Sequence, residues 1–73
     1  MVDIKKLKSR MALKGYKQGS LVTEMNKRGF KISENTFSSK MNGKSKFNCE
    51  DADIICEILE IEGFSERAEI FLA

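Results

Sequence analysis

The sequence predicts a small all-α domain of four or five short helices, and three observations carry that expectation. Apolar residues recur at helical spacing along the chain. Glycines at positions 15, 29, 43 and 63 separate segments of helical length, and no window alternates with period two long enough to make a strand. At 73 residues the chain holds one domain, 1–73, with a core small enough that a partner can complete it.

Residues 3–14 place Ile4, Leu7 and Met11 at i, i+3 and i+7, with Asp3 as N-cap and Gly15 as terminator. Residues 18–28 set Leu21, Val22 and Met25 on one face and stop at Gly29. Residues 33–42 begin at Ser33, put Phe37 and Met41 four apart, and stop at Gly43. In 48–62, Asn48 caps, Phe47 and Ala52 make a hydrophobic staple, and Glu50 and Asp51 favour the positive end of the dipole. Ile55, Ile58 and Leu59 form its inward stripe. After Gly63 the chain reads either as a last short helix capped by Ser65 and running to about Leu72, or as an extended tail.

Composition excludes several classes of function. Apolar runs reach only two or three residues, too short to span a membrane. The N-terminal lysines have no apolar stretch behind them, so a cytoplasmic protein without a secretory signal is expected. Cys49 and Cys56 lie seven apart, about 10 Å along one helix and too far for a disulfide. With no histidine in the chain, neither a zinc site nor a cysteine nucleophile with its base is expected, and no cofactor is implied. A Gly-x-Ser-x-Gly elbow and a phosphate loop are also missing, so the chain does not read as an enzyme. The acids of residues 50–69 read as a solvated helix face.

Charge is unevenly distributed. Residues 1–46 carry 12 Lys/Arg against Asp3, Glu24 and Glu34, a net +9. Residues 47–73 carry only Arg67 against eight acids, a net −7. Such asymmetry suits a chain with one end facing a polyanion, although lysines also simply solvate helix surfaces.

The central span narrows the reading. Tyr16-Lys17-Gln18-Gly19-Ser20-Leu21-Val22, then Ile32-Ser33-Glu34-Asn35-Thr36-Phe37-Ser38, then Lys40-Met41-Asn42-Gly43-Lys44 resembles the Cro/CI-type (XRE) helix-turn-helix of phage repressors. The resemblance covers roughly residues 3–62 and implies a lambda-repressor-like helical bundle with a helix-turn-helix at about 18–42. It implies a transcriptional regulator of a phage or prophage, a repressor that occludes a promoter. One departure stands out: Asn26-Lys27-Arg28-Gly29-Phe30-Lys31 occupies a connection that in the family is a single glycine. It reads as an extra turn of helix ended by Gly29, with Phe30 returning to the core.

The residues themselves support a groove-reading helix. Opposite Phe37 and Met41 are expected Ser33, Glu34, Asn35, Ser38, Ser39 and Asn42, short polar side chains that let a helix approach base edges. Asn35 is the best candidate for adenine, because an amide pairs bidentately with N6 and N7; Glu34 suits a cytosine amino group. Phosphates are assigned to Gln18 at a helix start, to Lys17 beside it, and to Lys40, Lys44 and Lys46 around the next turn. Lysines at a helix C-terminus also favour the dipole without any ligand.

Double-stranded operator DNA and a second copy of the chain are the expected partners. Ile61, Phe64, Ile70, Phe71 and Leu72, largely within 63–73, either make the dimer contact or close the monomer's core. The alternative from another class is a helical interaction module, such as an anti-repressor, that binds a protein through its C-terminal half and no DNA.

Overall fold

The computed structural model describes residues 2–72. They form α1 (Ile4–Leu13), α2 (Gln18–Lys27), α3 (Glu34–Met41), α4 (Cys49–Leu59) and α5 (Phe64–Phe71), with no strand among the described residues. The radius of gyration is 11.1 Å, matching the ~11 Å of a compact chain this long.

Local chemistry starts the helices. Asp3 accepts from the Lys6 amide at 3.2 Å, and Ser33 accepts from the Thr36 amide at 3.1 Å. Asn48 and Asp51 cap α4 reciprocally, each side chain accepting from the other's amide at 2.8 and 2.9 Å. α2 begins at Lys17, which has no acceptor; Ser20 Oγ takes the Lys17 N–H instead, at 2.8 Å.

The ends of the first three helices follow the glycines. Gly15, Gly29 and Gly43 have φ of 76°, 92° and 79°. After each, the next amide returns to a carbonyl five residues back: Tyr16 to Met11, Phe30 to Met25 and Lys44 to Ser39. At Gly29 this turn brings Phe30 back against the core, as the extra residues of 26–31 require. Asn26 pins the same segment, its amide donating to the carbonyls of Val22 at 2.9 Å and Ile32 at 2.8 Å.

The fourth helix departs from expectation. It ends at Leu59 rather than running to 62, because Glu60 adopts the left-handed conformation at φ 57°. That turn lets the Ile61 amide reach the Cys56 carbonyl at 2.9 Å and sends Ile61 into the core. Gly63 therefore begins α5 instead of ending α4, and Ser65 lies inside α5 rather than capping it. Of the two sequence readings for residues after Gly63, the helix is the one observed.

Among the described residues thirteen buried apolar side chains fill the centre, at least one from each helix, with Phe37, Leu7, Leu21, Met25, Ile55 and Leu59 fully enclosed. α2 packs on α3 and on α4, while α1 packs on α5. Two edge-to-face contacts at 6.1 Å, Phe37–Phe47 and Phe47–Phe71, link α3 through the α3–α4 loop to α5. Both cysteines are free, Cys49 exposed and Cys56 buried.

Burial holds the Cys56 thiol above its ordinary value, against an opposing pull from Arg67. The folded state thus prefers the neutral thiol. Its contribution to stability is present below the ordinary thiol range of about 8.5 and is lost as pH rises through the raised value. A maleimide should accordingly label one thiol per native chain, at Cys49, and two in denaturant. Equal labelling rates at the two cysteines would contradict the burial of Cys56.

Candidate nucleic-acid interface

The buried side of α3 is set by Phe37 and Met41. At 100° per residue, Asn35, Ser39 and Asn42 lie on the opposite side. Asn35 and Asn42 are exposed and Ser39 is half-buried. Among the described residues the Asn35 amide has no hydrogen-bond partner within the chain, whereas Asn42 Nδ2 donates to Ser38 Oγ at 3.4 Å. Ser33 is exposed, but its hydroxyl serves the cap and also donates to Thr36 Oγ1 at 2.9 Å. Thr36, exposed and next to Asn35, also belongs to this surface, as its position three before Ser39 on a helix implies.

Glu34 is turned elsewhere. It stands three residues before Phe37, which places it on the flank facing α2. Its Oε1 lies 3.1 Å from where a Cβ on Gly19 would sit. The expected placement of Glu34 opposite Phe37 is therefore corrected: the residue is exposed, but its carboxylate rests over the first turn of α2. A glycine at 19 gives it room, and its negative charge faces the positive end of α2's dipole. Gln18, half-buried at the first position of α2, shares that end with the carboxylate.

Lys40 also departs from its expected role. Its ammonium donates to Asp51 Oδ2, and the two side chains are only 13% and 1% exposed. A lysine enclosed in this way is a tie between α3 and α4, not a free phosphate ligand. Asp51 likewise corrects the expectation that the acids of 50–69 are a solvated face. The Asn48-x-x-Asp51 spacing announces a capping box, but nothing in the sequence announces a lysine from another helix.

The remaining lysines sort by tertiary pairing. Lys6, Arg10, Lys14 and Arg28 pair with Glu69, Glu66, Glu60 and Glu57 respectively. The basic and acidic halves of the sequence thus meet along α1 and, through Arg28, at the end of α2. Among the described residues Lys17, Lys44 and Lys46 have no ion-pair partner and are exposed. Lys17 caps α2 beside the Glu34 end of α3, and Lys44 and Lys46 follow its other end, so unpaired positive charge brackets the helix. Lys27, the last residue of α2, and Lys31, in the connection before α3, are also exposed and without an ion-pair partner among the described residues.

The C-terminal apolar residues divide between two environments. Ile61 and Ile70 are buried and Phe71 is half-buried, while Phe64 and Leu72 are 81% and 73% exposed. These two flank a groove of about 260 Å³ whose lining includes Cys49, Ala52, Ala68 and Phe71. Among the described residues no group of histidine, cysteine or acidic side chains could hold a metal ion. No helix among them is long and apolar enough to cross a membrane. No family model, curated protein sequence or solved structure matches the chain.

Proposed function

We propose that the protein is a sequence-specific double-stranded DNA-binding regulator in which α2 and α3 act as a helix-turn-helix and α3 enters the major groove. The observation that carries this reading is the exposed, unpartnered Asn35 opposite the buried Phe37, on a helix bracketed by unpaired Lys17, Lys44 and Lys46. Asn35 pairs with an adenine edge; Ser38, Ser39 and Asn42, with Thr36, line the rest of the approach. The three lysines neutralise flanking phosphates and set position rather than sequence. The resemblance of residues 3–62 to Cro/CI-type proteins makes a promoter-occluding repressor of phage or prophage type, acting in the bacterial cytoplasm without cofactor or chemistry, the favoured role. Two copies, joined through Phe64 and Leu72, would address half-sites about 34 Å apart.

Selection of bound duplexes from a random pool, followed by titration at several salt concentrations, tests the proposal. Asn35→Ala should cost about 1–3 kcal/mol on the selected site and relax preference at one base position. Lys44→Ala and Lys46→Ala should weaken all duplexes alike, each lowering the slope of log K against log salt by about 0.9. Unchanged affinity and specificity in Asn35→Ala would show that α3 is not oriented as proposed.

A second reading has its own support. The pairing of α1 with the acidic helices and the exposure of Phe64 and Leu72 suit a protein-interaction module such as an anti-repressor. Failure of every duplex to shift the protein at low salt would favour it.

A further inference from the structure

We infer that the buried Lys40–Asp51 pair is the positioning device of the reading helix: it holds the C-terminal half of α3, and with it the Asn35–Asn42 face, at a set angle to the rest of the fold. The inference rests on the DNA-binding reading and deepens it by removing Lys40 from the contact surface and giving it a different task.

The geometry places a tie at the C-terminal half of α3. α3 is a helix of eight residues whose main helix–helix packing is with α2. Toward α4 it offers the edge contact of Phe37 on Phe47 and the Lys40 ammonium. Asp51 is well suited to receive that ammonium. Its Oδ2 already accepts the Asn48 amide at 2.9 Å, so the carboxylate is fixed by the first turn of α4 and cannot follow a moving lysine. Its Oδ1 is buried without a hydrogen-bond partner, which leaves Lys40 as the one countercharge it contacts among the described residues.

A buried, singly compensated carboxylate tolerates little displacement of its cation, because separation exposes an unpaired charge to an apolar surrounding. Rotation of α3 about its axis, or a tilt of its C-terminal end, would stretch this pair first. The pair therefore converts the rigid start of α4 into an orientation constraint on α3. A phosphate-binding lysine would instead be exposed, as Lys44 and Lys46 are.

The decisive variant removes both charges and keeps the cap acceptor at position 51: Lys40→Met with Asp51→Asn. It should fold cooperatively, bind the selected duplex about tenfold or more weakly through misplacement of the Asn35 contact, and lose discrimination at that base. Its salt slope should stay at the wild-type value, and the amides of Asn42, Gly43 and Lys44 should exchange about tenfold faster. Two results overturn the inference: affinity within about twofold of wild type, or a slope reduced by about 0.9, the mark of a lost phosphate contact. If the double variant does not fold, Asp51→Asn alone decides. Weaker binding despite the freed lysine supports the tie, and equal or tighter binding refutes it. A wild-type protein that binds no duplex ends the DNA reading alone; exchange at residues 42–44 unchanged by the double variant would then sink the positioning role by itself.

Discussion

Phe37→Ala is expected to abolish the cooperative unfolding transition at 25 °C. Phe37 is fully buried, sits where α3 meets the core, and supports Phe47 edge-on, which in turn supports Phe71. Truncating such a ring typically costs about 3–5 kcal/mol, from lost burial and from the cavity left behind. A core of this size rarely supplies more than about 3–5 kcal/mol in total. Cost and reserve are therefore equal within their uncertainty, and the folded state loses its majority. Thermal melts by circular dichroism check this. A cooperative transition shifted by only a few degrees would mean that α3 is not held by its buried face, and the outward placement of Asn35 would lose its foundation.

The second large effect is expected from Lys40→Met alone. It leaves Asp51, 1% exposed, without its countercharge, and breaking a buried pair from one side costs about 3–5 kcal/mol. Losing both charges together, as in Lys40→Met with Asp51→Asn, is expected to cost less than Lys40→Met alone, because no unpaired charge is left buried and the side-chain amide introduced at position 51 can still accept the Asn48 N–H. Urea denaturation of the two singles and the double gives the coupling between them, expected above about 1 kcal/mol. By contrast, Lys44→Ala should change stability by no more than about 0.5 kcal/mol, as an exposed residue without a partner does. Equal effects of Lys40→Met and Lys44→Ala would return Lys40 to the surface.

The two lysines show why site residues are harder to read from sequence than helices are. Lys40 and Lys44 stand four apart beside the same turn and look alike in the sequence. One is enclosed and the other is solvated only because α4, beginning nine residues after Lys40, returns with Asp51 in reach. Glu34 is a similar case. Its place three residues before Phe37 sets it on a flank of the helix, but that this flank meets α2, with room at Gly19, follows only from the packing. The charge asymmetry of +9 against −7 was real in the sequence but misleading as a map. Pairs such as Arg10–Glu66 at 2.7 Å join the two halves, and among the described residues they leave Lys5 and Lys8 on α1 unpaired as well as Lys17, Lys27, Lys31, Lys44 and Lys46.

The sequence alone determined that this is an all-helical domain, where four of the five helices begin, and where the first three end. Caps and glycine turns act over three to five residues, so their chemistry is complete within the segment that contains them. Tertiary structure decided the end of α4, where Glu60 takes a left-handed turn so that Ile61 can be buried. It also decided which lysines remain free and which way Glu34 faces. Burial and ion pairing depend on what other segments bring to the same place, and that information lies in the packing of helices far apart in the chain.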